Sequence, residues 1–329
     1  MAPTALVTGC SSGIGHATAR AFLTEPGWRV YATARERDRD GLETLADRGA
    51  DVVALDLTDP TAVDRVVGRV REEAGGVDCL VNNAGYGQFG PVEDVPTDLL
   101  ERQFAVHCFG PHRLIRAVLP GMRERGAGRI VNVTSAADRL AVAGIGGYNA
   151  SKWALAALSD ALRQELADTN VEVVVVQPGI VATPFYSRAV AEVDAAAAAG
   201  PTTDRSDSRT ARTRERSPYV DLYRVLRRVR AVEVGGPLIN DPDRVGRTVL
   251  EAATNPAPET HYRVGPVPLL GSLYGTLVPG AIRDRLSRLG LRLAASGPVL
   301  DLLERRLHRS SGSKPVDSDG ERLGDRRPR

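Results

Sequence analysis

Tyr148 and Lys152 stand four residues apart in the segment Tyr148-Asn149-Ala150-Ser151-Lys152. On a helix, residues at that spacing share one face. A phenol near its reference pKa of about 10 is a poor acid or base at neutral pH. A neighbouring ammonium favours the phenolate, which equips Tyr148 to give a proton to a carbonyl or take one from an alcohol. Ser135 lies thirteen residues earlier, just after an apolar run. From a strand end its hydroxyl can hold a substrate oxygen as charge develops on it.

A second constellation sits near the N-terminus. Thr8-Gly9-Cys10-Ser11-Ser12-Gly13-Ile14-Gly15 joins a first apolar run to a first helical pattern. Glycines there permit a tight turn and close backbone approach to a pyrophosphate, and a helix N-terminus offers unpaired N–H groups and a positive dipole end. The spacing is Gly-x3-Gly-x-Gly, not the commoner Gly-x-Gly-x-x-Gly. The expected ligand is a dinucleotide, bound by Gly9, Ser11, Ser12, Gly13, Ile14 and Gly15. The end of the second strand chooses between nicotinamide cofactors, because an acidic residue there holds a ribose 2′-hydroxyl. The strand runs Val30-Tyr31-Ala32-Thr33-Ala34-Arg35. Arg35 places a guanidinium where a 2′-phosphate would sit, which predicts NADP(H) over NAD; Glu36, directly after it, works against that choice. The positive ring of the oxidised nicotinamide would add to the pull toward a Tyr148 phenolate.

These residues need elements to position them. Strand-like runs at Thr4–Thr8, Arg29–Thr33, Val52–Leu55, Val77–Val81, Arg129–Val133 and Glu172–Val176 alternate with helical patterns at Gly13–Glu25, Leu42–Ala46, Pro60–Ala74, Asp98–Arg125 and Tyr148–Ala167. Apolar strands alternating with helices predict an α/β fold, a Rossmann-type doubly wound parallel sheet covered on both faces. Tyr219–Val234 and Pro242–Ala253 are helical patterns, and His261–Val264 is a last strand. The expected organisation is a domain over 1–268 with a substrate loop at about 184–235, an amphipathic arginine-rich helical extension over 269–307, and a disordered tail over 308–329. The loop segment Ala189–Pro218 is read as a mobile cover over the site.

Composition is ordinary for a soluble globular chain: 329 residues, 42% apolar, 26% charged, net charge +2. That charge is too small to argue for nucleic acid or an anionic membrane. Cys10, Cys79 and Cys108 form no disulfide or zinc pattern and are read as small buried side chains, with no metal. No run reaches the length of a membrane span; the nearest, Pro266–Ile282, is broken by proline, glycine and serine. The expected location is cytoplasmic.

Taken in order, the motifs resemble the short-chain dehydrogenase/reductase family of the single-domain type, closely over about 4–185 and more loosely to about 265. Besides Thr8–Gly15 and the set Ser135, Tyr148 and Lys152, Asp56-Leu57 matches the acidic residue after the third strand, which in the family contacts the adenine. Asn82-Asn83-Ala84-Gly85 matches the segment that passes the adenine ribose. Pro178-Gly179-Ile180-Val181-Ala182-Thr183 matches the Pro-Gly-x3-Thr segment, where Val181 and Thr183 would hold the carboxamide. The resemblance also implies that Lys152 bonds the nicotinamide ribose. One position departs. His107, in Ala105-Val106-His107-Cys108-Phe109-Gly110, stands where the family has a fourth catalytic residue, an asparagine that helps place a proton-relaying water. A neutral histidine can donate and accept, so His107 either takes over the relay with its own pH dependence, leaves it weakened, or is structural. The opening and Tyr262-Arg263-Val264-Gly265 look most like the branch with hydroxysteroid and retinol dehydrogenases. That implies a hydrophobic ketone, aldehyde or alcohol, with Phe89, Phe185, Tyr186 and Tyr219 as pocket candidates. The helices over Asp98–Arg125 and Tyr148–Ala167 match those that pair subunits in relatives, implying a homodimer or homotetramer. Two other readings stay open: a non-catalytic NADP-binding sensor or scaffold, and peripheral contact of 269–307 with anionic lipid, although amphipathic arginine-rich helices more often cap a core or form a subunit contact.

Overall fold

The computed structural model describes residues 2–35, 40–191, 218–228 and 238–295. Glu36, most of the expected substrate loop, the end of the extension and the expected tail lie outside the described residues. Seven parallel strands form one sheet: β1 (Thr4–Thr8), β2 (Arg29–Ala34), β3 (Asp51–Ala54), β4 (Cys79–Asn82), β5 (Gly128–Val133), β6 (Val171–Pro178) and β9 (His261–Val264). Their spatial order is β3-β2-β1-β4-β5-β6-β9. The chain therefore leaves β1 in both directions, and the crevice between the C-terminal ends of β1 and β4 is the switch point where such sheets bind ligands.

The strands are apolar on both sides because each face meets helices. Ala5, Val7, Val30, Ala32, Cys79 and Val81 pack on one face with Ala19 and Phe22 of α1 (Gly13–Thr24) and Val245 and Val249 of α8 (Pro242–Thr254). The residues between them, Leu6, Tyr31 and Leu80, pack on the other with Val66 of α3 (Pro60–Ala74), and Leu114 and Met122 of α5 (Gly110–Arg125). This is the period-two alternation of a strand divided between two cores. Local rules set the helix ends. Asp59 accepts from the Thr61 N–H before Pro60, and Asp241 does the same for Asp243 before Pro242. α2 (Asp40–Ala46) and α6 (Gly146–Glu165) complete the layers. The three cysteines are buried and free, as expected.

The structure differs from expectation in two helical regions. The continuous helix expected over Asp98–Arg125 is α4 (Thr97–Phe104), a π turn over Ala105–Phe109, and α5. Pro111 has no N–H for the His107 carbonyl four residues back, and its ring would crowd that carbonyl. The Gly110 N–H bonds Ala105 O instead, the longer-range bond of a π turn. Gly110 also lies so close to β3's following loop that a Cβ there would come within 2.7 Å of Leu57 Cβ. The extension expected to begin at Leu269 begins earlier and is split, into α9 (Pro266–Leu277) and α10 (Gly280–Ala295). Pro279 stands between them and cannot continue a helix. α7 (Val220–Arg228) and a two-residue ladder of β7 (Ile180–Val181) with β8 (Ile239–Asn240) close the description.

Candidate active site

At the end of β1 the chain turns through Gly9, at φ 75°, and Gly13, at φ 60°, both in the left-handed region that disfavours side chains. A Cβ on Gly15 would lie 2.2 Å from Gly9 O. The loop thus admits no side chains at these points, and α1 begins at Gly13 without a side-chain cap on its first N–H groups. Thr8 ties the loop to the end of β4: its hydroxyl accepts from the Asn83 and Ala84 N–H groups at 3.0 and 3.1 Å, and Asn83 Nδ2 donates to Thr8 O at 2.8 Å. Thr183 closes against the loop from β7, within 3.0 Å of where a Gly13 Cβ would be.

At the far end of β2 stand Arg35 and, after β3, Asp56. The Asp56 carboxylate accepts from the Thr58 N–H at 2.9 Å and hydroxyl at 2.7 Å. Burial pushes the carboxyl up, but the Thr58 bonds and the guanidinium groups of Arg35 and Arg102 outweigh it, and the net shift is downward.

Ser135 follows β5, and its Oγ accepts from the Ala137 N–H at 3.2 Å. Tyr148 lies in the first turn of α6, with Lys152 one turn on, and the Lys152 Nζ is 6.0 Å from the Tyr148 ring centre. The ammonium donates to Val133 O at 3.1 Å. Burial pulls Lys152 down to about 8, against a raising influence from Asp138. Burial also pushes the Tyr148 phenol well above its ordinary value, partly offset by a side-chain hydrogen bond with Ser135. In the protein alone, burial outweighs the pull toward phenolate expected from the sequence.

His107 is fully engaged. Its Nε2 accepts from the Tyr86 N–H at 3.0 Å, which leaves the proton on Nδ1, 2.9 Å from Ser151 Oγ. Ser151 Oγ donates in turn to the Tyr148 backbone carbonyl at 2.8 Å. The ring is buried, and burial, with the Lys152 charge, holds it neutral well below its ordinary value.

One cavity of about 660 Å³ gathers this geometry. Gly9, Ser11, Ser12, Gly13, Ile14, Gly15, Arg35, Asp56, Leu57, Asn83, Ala84, Gly85, Ser135, Tyr148, Lys152, Pro178, Gly179, Val181 and Thr183 all line it, and His107 does not. Phe89, Phe185 and Tyr186 line the same space, with Leu140, Val142 and Ile145. Tyr219 is not among its lining residues; it packs on the cluster of Phe89, Tyr148 and Leu222.

The profile of the short chain dehydrogenase family matches residues 3–194. The chain belongs to the short-chain dehydrogenase family. Human retinol dehydrogenase 8 is 31% identical over 310 residues, 89% of this chain and 95% of that one. A short-chain dehydrogenase structure from Streptomyces avermitilis superposes with a TM-score of 0.66 at 30% identity, over 90% of this chain and 99% of its own. A serine dehydrogenase complexed with NADP+ superposes with a TM-score of 0.62 at 26% identity, over 80% and 95%.

Two residues of this short-chain dehydrogenase were not read from the sequence. Arg102, on α4, lines the cavity and acts on Asp56 alongside Arg35. No local signal marks it, since an arginine on a helix is ordinarily a solvated one. Asp138, three residues after Ser135, is buried at 3% exposure beside Lys152. An acid so close to a strand-end serine was a visible signal. No group of three or more metal-ligating side chains occurs among the described residues.

Proposed function

We propose that this short-chain dehydrogenase is an NADP(H)-dependent oxidoreductase that interconverts a hydrophobic carbonyl compound and its alcohol. The observation that carries the reading is the single cavity in which the glycine loop, the Ser135–Tyr148–Lys152 set and an aromatic wall meet. The residues fit a nicotinamide dinucleotide: the cradle is one that Cβ atoms at Gly9, Gly13 and Gly15 would fill, and it opens on the N-terminus of α1. Gly9 to Gly15 would hold the pyrophosphate, Asp56, Leu57 and Asn83 to Gly85 the adenosine, and Val181 and Thr183 the carboxamide. When bound, the cofactor supplies or accepts the hydride.

The rest falls to this chain's side chains. Ser135 holds the substrate oxygen and Tyr148 moves its proton. Burial keeps the phenol protonated at neutral pH, the form that donates to a carbonyl oxygen. Lys152 supplies the positive charge beneath Tyr148 and orients the ribose. Arg35 and Arg102 place two guanidinium groups near Asp56, a setting for a 2′-phosphate, which supports NADP(H); the serine dehydrogenase, complexed with NADP+, supports it too. Phe89, Phe185, Tyr186 and Val142 favour an apolar substrate, in line with the retinol dehydrogenase relative. Exposed Phe109, Trp153 and Leu158 on the π turn and α6 support a homo-oligomer through that side. The sensor reading rested on His107, whose engagement inside the protein gives it no support.

The test follows NADPH and NADH oxidation against hydrophobic aldehydes and ketones. NADPH-driven turnover is expected to fall at least a hundredfold in Tyr148→Phe with cofactor binding retained. Arg35→Ala is expected to raise the KM for NADPH roughly tenfold and leave that for NADH unchanged. Binding of NADPH without turnover on any carbonyl would overturn the reading.

A second reading concerns a surface. α9 has no charged residue and exposes Leu269, Leu270, Leu273 and Leu277. α10 exposes Ile282, Leu286 and Leu289, at i, i+4 and i+7, and carries Arg283, Arg285, Arg288 and Arg292 against Asp284. Leu291, half a turn around, packs on the Phe89–Leu222 cluster, so the stripe points away from the protein. This favours peripheral contact with anionic lipid.

A further inference from the structure

We propose that Asp138 is a positioning residue: an ionised carboxylate, clamped between Thr134 and Gln177, that fixes the Ser135 turn and balances the Lys152 ammonium across it. Thr134 Oγ1 donates to one oxygen at 2.6 Å and Gln177 Nε2 to the other at 2.7 Å. Both oxygens accept, as a carboxylate's do. The Asp138 side chain is fully buried, and burial pushes its carboxyl above the ordinary carboxylate value, against the pull of the Thr134 and Gln177 bonds and of the Arg139 and Lys152 charges. Its N–H donates to Ser135 O at 3.0 Å, and the Thr134 N–H donates to Val176 O at 2.9 Å. The strand end from Val133 to Asp138 is therefore held twice. Lys152 takes the Val133 carbonyl from α6, and Gln177 takes the Asp138 carboxylate from β6. Ser135 sits between the two grips.

A buried charge persists only when it is paired or well bonded. Three charged or titratable groups face Asp138. Lys152 and Tyr148 come from α6, and each feels the carboxylate as a raising influence. Arg139, next in the chain, reaches 3.9 Å from Oδ1 but is 40% exposed and screened by solvent. His107, which faces Lys152 from the π turn, is neutral. Asp138 is thus a negative charge, held on the same turn that Lys152 grips, which offsets part of the burial of the Lys152 ammonium, and a charged Lys152 is what the proposed chemistry needs beneath Tyr148.

The effect can be isolated chemically. In Asp138→Asn the amide oxygen still accepts from Thr134. The new amide N–H can donate to Gln177 Oε1, a buried atom without a partner, once the Gln177 amide turns over. The bonds stay and the charge goes. The chain has two lysines, Lys152 and Lys314. A carbon NMR titration of protein labelled at the lysine side chains therefore follows two signals, with Lys314 as internal reference. The Lys152 midpoint is expected at about 8 in the native protein and lower by roughly half to one pH unit in Asp138→Asn. The pH profile of NADPH-driven turnover should move the same way. Asp138→Ser, which also removes the charge, serves if the asparagine variant does not fold, as judged by circular dichroism. An unmoved Lys152 midpoint in a folded variant overturns the proposal. The turnover arm rests on the reductase reading, whereas the titration uses the protein without cofactor. Failure of that reading would show as absent wild-type turnover with the Lys152 shift intact.

Discussion

His107, which the family resemblance sets at an asparagine position, is held on both ring nitrogens by the protein itself. With Nε2 on the Tyr86 N–H and Nδ1 on Ser151, no ring nitrogen remains for a relaying water, and the imidazole fastens the loop after β4 to the first turn of α6 beneath Tyr148. Its titration then belongs to stability. The folded pKa is depressed well below 6.5, so below that pH the unfolded chain binds a proton that the native state refuses. The stability due to a neutral His107 is present above about 6.5 and is lost as pH falls toward the folded value. Urea unfolding from pH 7.5 to 5 should show a decline that His107→Asn flattens, because asparagine does not titrate. His107→Leu leaves the Tyr86 N–H and Ser151 without this partner. It should cost about 1–3 kcal/mol at pH 7.5 for the buried hydrogen bonds lost. A His107→Leu protein as stable as the native one would remove the fastening role.

At the level of elements, glycines separate binding from folding. Gly15 lies in the first turn of α1, where a Cβ would meet Gly9 O at 2.2 Å and Asn83 Nδ2 at 2.4 Å. Gly15→Ala must move either the loop or the Asn83 side chain that ties it to β4. NADPH affinity is expected to drop at least tenfold by calorimetry, with the far-ultraviolet circular dichroism unchanged. Gly68, inside α3, is the contrast: a Cβ there meets nothing within 4 Å. Gly68→Ala should raise stability by about 0.5–1 kcal/mol through the ordinary helix preference of alanine and leave cofactor binding alone. The π turn belongs to the same scale. Gly110 and Pro111, residues that weaken a helix, shift its register and bring His107 to face Tyr86 and Ser151.

For the whole molecule, the strand order decides what meets what. Chain departure from β1 in both directions brings segments near residues 10, 35, 56, 84, 135 and 181 together at the C-terminal ends of the strands of one sheet. No helix among the described residues is long and apolar enough to cross a membrane. Yet α9 packs through Gly271 and Gly275 against Leu140 and Arg139, beside the Ser135 turn, and Val267 lines the cavity. The protein is expected to co-sediment with vesicles containing phosphatidylserine, less with phosphatidylcholine alone, and less again at high salt. Charge reversal as Arg285→Glu with Arg292→Glu should abolish the difference between the two lipids. Equal failure to bind either vesicle would dismiss the lipid reading.

The sequence alone determined what short-range physics controls. Apolar β-branched runs alternating with helical periods specified a parallel α/β sheet. The glycine loop specified a strand-to-helix turn with room for phosphate. The four-residue spacing of Tyr148 and Lys152 required one helix face. These follow from backbone sterics and periodicity within a few residues, so they survive without knowledge of the fold. Only the tertiary structure decided the rest. His107 and Ser151 are 44 residues apart, Asp138 and Gln177 39. Whether such groups meet depends on strand order and register, and on the interior dielectric that burial creates. Lys152 at about 8 and a neutral His107 arise from that burial, which no local spacing encodes.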